Sequence, residues 1–271
     1  MLLDPAPDTL TFIGNATVLL RLGPFTLLTD PNFLHRGQWV HIGHGVLTRR
    51  RTEPAAQPAD LPHLDAVVLS HLHGDHFDRV ARDELPRDVP VLTTAHAARR
   101  LDRSGFTATG ALRPWARETL RRGEASLTVT AVPARHSGTV LDHLLLPPVM
   151  GSVLDYRADP EANVFRVYLS GDTMPHRQLR PIVDRCGTLD LAVLHLGGTR
   201  VLGVWLSMDD RRGADLLEWL RPAQVVPVHH DDYGIFTSPV SNFLVEVADR
   251  GLPTRVQLLR RGGSLPLRGG D

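Results

Sequence analysis

The 271-residue chain contains no lysine; its 30 basic side chains are all arginines. A Schiff-base or general-base lysine is therefore excluded. There is one cysteine, Cys186, which rules out an internal disulfide and a cysteine-rich metal site. No apolar run approaches the ~20 residues that span a bilayer. Net charge is absent too, since 30 acidic residues balance the arginines. That removes the broad attraction that holds nucleic-acid phosphates, so no large nucleic acid is expected as a partner. No fixed-period repeat or linker-like shift in composition divides the chain. A single domain over residues 1–271 is expected, with residues 261–271 as a frayed tail. Residues 1–8 are acidic, carry proline and lack the apolar core of a signal peptide, so a cytoplasmic protein is expected. Nothing in the pattern fixes an oligomeric state.

What is present fits a globular α/β protein: 42% of residues are hydrophobic and 22% charged. Short apolar, β-branched runs predict strands at residues 10–13, 17–21, 25–28, 66–70, 91–93, 127–132, 152–155, 164–170, 191–194 and 225–228. Helical spacing and capping signals predict helices at 77–85, 94–102, 209–220 and 238–251. Sheets covered by helices, in two comparable halves, follow from that order. Residues 31–62 lack a regular pattern, and so long a loop in a compact domain points to function.

Histidine is plentiful, at 14 residues, and its placement is not scattered. His71-Leu72-His73-Gly74-Asp75-His76 directly follows a predicted buried strand. In extended chain, residues i and i+2 point the same way, so His71 and His73 can face one cation. Gly74 permits a tight turn, after which Asp75 and His76 can face a second. Imidazole with carboxylate suits Zn²⁺ and its first-row neighbours. Further donors stand at later strand ends: His136, Asp172 in Ser170-Gly171-Asp172-Thr173, and His229 followed by His230. Loops beyond strand ends are where binding residues collect.

This series resembles the metallo-β-lactamase-fold hydrolase superfamily over about residues 10–245. The segments 28–31, 13–17 and 226–229 are similar to the branch that holds ascorbate-6-phosphate lactonase and N-acyl-phosphatidylethanolamine phospholipase D. Asn15 departs from that branch, where histidine often follows the glycine; it could alter a contact behind the site or a pocket edge. The resemblance implies a four-layer αβ/βα sandwich, two mixed sheets flanked by helices, with a dinuclear site at one edge. It implies one cation on His71, His73 and His136, a second on Asp75, His76 and His229, and Asp172 as the bridge. His229 is preferred to His230 because it directly follows the strand.

Two divalent cations about 3.5–4 Å apart share a water and lower its pKa toward neutrality. The expected cofactors are therefore two divalent metal ions, Zn²⁺ first, with Mn²⁺ or Fe as alternatives. The expected activity is hydrolysis of a small ester, lactone or phosphodiester, with Asp75 and Asp172 orienting the nucleophile. Phosphodiester cleavage in a lipid or nucleotide is the alternative. A redox or regulatory metal protein is the reading from another class. His195, His230 and His143 are candidates for protonating the leaving group, with packing or capping as the plainer role of each. Asp30 reads as a carboxylate that fixes a ligand histidine's tautomer, or as a turn cap. Asp65 reads as support for the metal loop, or as a turn residue. Trp39, Val40 and Ile42 form either an apolar rim or a small satellite core. Residues 49–51 read as a solvated arginine turn, with a phosphate contact as the alternative.

Overall fold

The computed structural model describes residues 8–43, 45–137, 146–201 and 203–267. The chain opens with β1 (Thr9–Gly14), β2 (Thr17–Leu22) and β3 (Phe25–Thr29), an antiparallel meander. The segment that follows holds a short hairpin, β4 (Trp39–His41) with β5 (Leu47–Arg49). Next come β6 (Ala66–Val68), helix α1 (Arg79–Glu84), β7 (Val91–Thr93), α2 (Ala95–Arg103) and β8 (Thr109–Ala111). These strands extend the first sheet in parallel from β3.

A second antiparallel run follows: β9 (Arg117–Arg122), β10 (Ala125–Pro133), β11 (Met150–Arg157) and β12 (Phe165–Leu169). After α3 (Pro181–Cys186) come β13 (Leu191–His195), the small hairpin β14 (Arg200–Val201) with β15 (Val204–Trp205), and α4 (Asp210–Leu220). The chain closes with β16 (Gln224–Val228), α5 (Val240–Asp249), β17 (Arg255–Val256) and β18 (Ser264–Pro266). The strand orders are β18-β1-β2-β3-β6-β7-β8 and β17-β16-β13-β12-β11-β10-β9.

Side-chain alternation along each strand builds four layers. Val18, Leu20 and Leu22 of β2 meet Leu127, Val129, Val193 and Val226 in a core between the sheets. Leu19 and Val67 face the other way, onto Ala81 of α1 and Ala97 and Leu101 of α2. On the far side, Val153, Tyr168 and Leu194 pack against Ile182, Leu217 and Phe243 of α3, α4 and α5. The central strands of both sheets are thus buried on both faces, which is why they read as largely apolar runs. The result is an αβ/βα sandwich with two mixed sheets flanked by helices.

Helix starts carry their caps: Asp78 accepts from Ala81 N, Thr94 from Ala97 N and Asp209 from Arg212 N. The expected frayed tail needs correction. Ser264, Leu265 and Pro266 pair with Thr11, Leu10 and Thr9, and Leu267 is buried, because the edge of β1 needs a hydrogen-bonding partner. Residues 268–271 lie outside the described residues. The sequence pattern does not mark β9, whose residues are mostly charged and exposed, nor the two- and three-residue strands β4, β5, β8, β14, β15, β17 and β18.

Candidate metal centre

Three strands of the second sheet and one of the first aim their C-terminal ends at one place. After β6 the chain runs extended through His71 and His73, turns at Gly74 and enters α1 through the Asp78 cap. Gly74 is required by close approach, since a Cβ there would lie 2.6 Å from the carbonyl of His41. His136 follows β10, Asp172 follows β12 and His229 follows β16. All seven donors, His71, His73, Asp75, His76, His136, Asp172 and His229, are at most 8% exposed.

Their donor atoms converge. His71, His73 and His136 form one cluster and Asp75, His76 and His229 another; Asp172 groups with His71 and His76. In each, one possible ligand atom per residue lies within 4.8 Å of the others. His76 Nε2 is 3.3 Å from Asp172 Oδ2, and His229 Nδ1 is 3.6 Å from Asp172 Oδ1. His229 Nε2 is 3.3 Å from Asp75 Oδ2.

Outer partners assign the tautomers. His76 Nδ1 donates to Asp30 at 2.9 Å, His229 Nδ1 to the Leu196 carbonyl at 3.2 Å and His136 Nδ1 to the Leu206 carbonyl at 3.4 Å. Each leaves its Nε2 lone pair pointing inward. Ser70 Oγ donates to Asp30 and accepts from His71 Nδ1, so His71 Nε2 also carries a lone pair. It faces His73 Nδ1 at 2.9 Å. Two imidazole nitrogens so close need a proton or a cation between them. His73 Nε2, His76 Nε2, His136 Nε2, Asp75 Oδ1 and Asp172 Oδ1 are buried without a hydrogen-bond partner. Orphaned buried atoms of this kind are costly unless something binds them. A nitrogen-and-carboxylate donor set of this composition fits zinc-type divalent cations.

The electrostatics separate the two clusters. Burial, reinforced by neighbouring imidazoles, pushes His71 well below the ordinary histidine value and His73 down to about 3; burial also lowers His136. Burial opposes the charge of His76 and His229 as well, but Asp172 with Asp30 and Asp75 raises the first, and Asp172 with Asp75 the second. Burial likewise opposes ionisation of Asp172, yet His229 and His76 hold its carboxyl well below the usual range.

The remaining candidates fall into place around this centre. Asp30 accepts from Ser70 N at 2.7 Å, Ser70 Oγ at 2.8 Å, His76 Nδ1 at 2.9 Å and His195 Nε2 at 3.2 Å. His195 is 2% exposed, and its Nδ1 is 3.1 Å from Ser170 Oγ, so both ring nitrogens are engaged by buried partners. His230 turns elsewhere: its ring sits 3.7 Å from Asp231 and lines a cavity with Arg51, Tyr233 and Phe236. It joins none of the donor clusters found among the described residues. His143 lies outside the described residues.

Asp65 does not reach the metal loop; it accepts from Thr26 N at 2.7 Å and pairs with Arg122. Val40 and Ile42 pack with Leu34 and Tyr233 in a satellite core, while Trp39 is 60% exposed. Arg50 is no solvated turn residue. It is 1% exposed and ion-paired with Asp232 at 3.0 Å. Asn32 has no signal in the sequence, since an asparagine in a loop carries no distinctive pattern.

Known proteins resemble this chain in both sequence and fold. A metal-dependent hydrolase of Deinococcus radiodurans is 29% identical over 244 residues, 90% of this chain and 93% of that one. Among solved structures, isothiocyanate hydrolase from Delia radicum gut bacteria superposes with a TM-score of 0.79 at 21% identity, covering 95% of this chain and 98% of the other. A possible metal-dependent hydrolase from Veillonella parvula gives 0.78 at 20% identity, covering 96% and 100%. At those identities the two structures speak for the fold. Residues 2–230 match the family described as the beta-lactamase superfamily domain, and the chain belongs to that family.

Proposed function

We propose that the protein is a dinuclear metal-dependent hydrolase acting on a small ester, lactone or phosphodiester. The observation that carries this is the inward convergence of seven buried donors, five atoms of which have no hydrogen-bond partner. His71, His73 and His136 would hold one cation. Asp75, His76 and His229 would hold the other, with Asp172 between them. Such a pair supplies a water acidified toward neutrality and positive charge where an oxyanion develops.

The chain's own residues prepare that chemistry. Asp30 keeps the His76 proton on Nδ1, and the Leu196 and Leu206 carbonyls do the same for His229 and His136. His195 acts through Asp30 as a positioning residue, because neither of its ring nitrogens is free to meet a substrate. Asp75 and Asp172 bring the anionic charge that partly neutralises two cations and leaves a net electrophilic site. Beside His136 a cavity of about 130 Å³ is lined, among the described residues, by Arg135, Leu146, Pro147, Pro148 and Val149. Its small size and largely apolar wall favour a small substrate with an apolar part.

The test is metal content per chain on protein purified without chelator, followed by a substrate panel. The expected result is near two zinc per chain and turnover of one ester, lactone or phosphodiester class. An isothiocyanate belongs on the panel, being the substrate named for one structural neighbour. Asp172→Ala should lower metal content and abolish turnover while the fold persists. Two retained cations with full turnover in that variant would overturn the bridge. One or two iron per chain with visible absorbance would move the reading to redox chemistry.

A further inference from the structure

Asn15 is fully buried in the turn between β1 and β2 and holds a left-handed backbone at φ 52°. Three of its groups reach toward the metal centre or its supports. Its side-chain Nδ2 donates to the carbonyl of Asp75 at 2.6 Å. Its own carbonyl accepts from the amide of His229 at 2.9 Å. Its amide donates to Asp232 Oδ2 at 2.8 Å. Asp232 is in turn fixed by Arg50, Arg261 at 3.1 Å and Thr52. The same Arg50 guanidinium donates to Asn32 Oδ1, and Asn32 Nδ2 donates to the carbonyl of Gly74 at 3.2 Å. Two asparagine amides thus hold the consecutive carbonyls of Gly74 and Asp75, and one buried ion pair holds both asparagines.

We propose that Asn15 is a positioning residue for the second cation: it sets the Asp75 backbone and the His229 backbone against each other. The inference rests on the reading of Asp75 and His229 as ligands of one cation. Asp75 and His229 are 154 residues apart in sequence, yet their side chains end 3.3 Å from one another. His229 also adopts the left-handed region, at φ 59°, where a non-glycine residue stays only if its surroundings hold it. The carbonyl of Asn15 is one such restraint. On the other side, Gly74 leaves the chain freedom just before Asp75, and the two amides remove it by holding the peptides on either side of Asp75. Asparagine is also among the few residues that tolerate the backbone this turn requires.

The decisive variant is Asn15→Gly. Glycine accepts a positive φ and keeps both backbone contacts, so only the side-chain amide is lost. Zinc affinities are measured by competition with a chelating indicator, and melting is followed on the metal-free protein. The wild type should take up two Zn²⁺. In Asn15→Gly one dissociation constant should weaken by about 10–100-fold, the usual effect of losing an outer partner, with the other unchanged. At limiting Co²⁺ its spectrum should match that of Asp75→Ala, which removes the same site outright. If Asn15→Gly does not fold, Asn15→Asp replaces it; aspartate keeps the shape and the tolerance of positive φ but presents oxygen to the Asp75 carbonyl. Two cations bound with wild-type constants in the folded variant would overturn the role of Asn15 and leave the ligand reading standing. A wild type that takes up no cation would overturn the ligand reading and this inference with it.

Discussion

Asp30→Asn is the sharpest test of how the metal centre is organised. Asp30 Oδ1 accepts from Ser70 N, and Oδ2 receives His76 Nδ1, Ser70 Oγ and His195 Nε2. Both oxygens therefore act as acceptors, and the carboxylate has no proton to give. Asparagine must replace one oxygen with NH₂. If the amide nitrogen takes the Oδ1 place it faces the Ser70 N–H, donor against donor. If it takes the Oδ2 place it faces His76 Nδ1 and drives the ring proton onto Nε2, the atom that points at Asp172. Either way a charge-assisted bond is lost, at a cost of about 1.5–3 kcal/mol to the metal-free protein. For a chain of this size that is a fall in melting temperature of roughly 3–12 °C. Affinity for the cation on His76 should weaken by about 10–100-fold, or about 1.4–2.7 kcal/mol. Zinc competition and calorimetric melting read the two effects separately. Unchanged zinc constants in a folded Asp30→Asn protein would refute the argument and leave Asp30 as a cap on the end of β3.

Other expectations follow from the same geometry. Burial lowers the pKa of His71, His73 and His136, whereas carboxylate neighbours raise that of His76 and His229, so as pH falls protons compete for the second set before the first. As pH falls below neutrality, zinc per chain after dialysis should step from two to one before reaching zero; loss of both together would contradict this. His229→Ala should lose one cation while His230→Ala keeps both, measured by elemental analysis, and the reverse result would exchange the two histidines. Leu127 is fully buried between the sheets. Leu127→Ala should therefore cost about 3–4 kcal/mol and lower the melting temperature by roughly 6–16 °C, unless neighbouring side chains collapse into the space.

Much of this was legible in the sequence because the strands bury both faces. Runs such as residues 17–22 and 191–195 are apolar almost throughout, and their ends mark where donors stand. The metal loop was legible for a different reason: four donors in six residues is a local pattern. What escaped is what depends on partners distant in sequence. Arg50 lies in a run of three arginines, and what distinguishes it from its neighbours is its burial against Asp232 and Asn32, both distant in sequence. The strand Arg117–Arg122 has no apolar alternation and exists because β10 offers it a ladder. The last strand is likewise made by its neighbour, β1, and not by its own residues.

The two halves of the sandwich contribute unequally to the centre: residues 71–76 come from the first sheet and positions 136, 172 and 229 from the second. A cation gripped by Asp75 and His229 would close a loop of 154 residues in a chain whose lone cysteine can form no internal cross-link. Treated as such a link, it would restrict the unfolded chain by on the order of 5 kcal/mol in the loop-entropy picture. Chelation would then loosen the docking of one half of the molecule against the other, and the metal would serve as a clasp whose strength can be dialled by the free ion concentration.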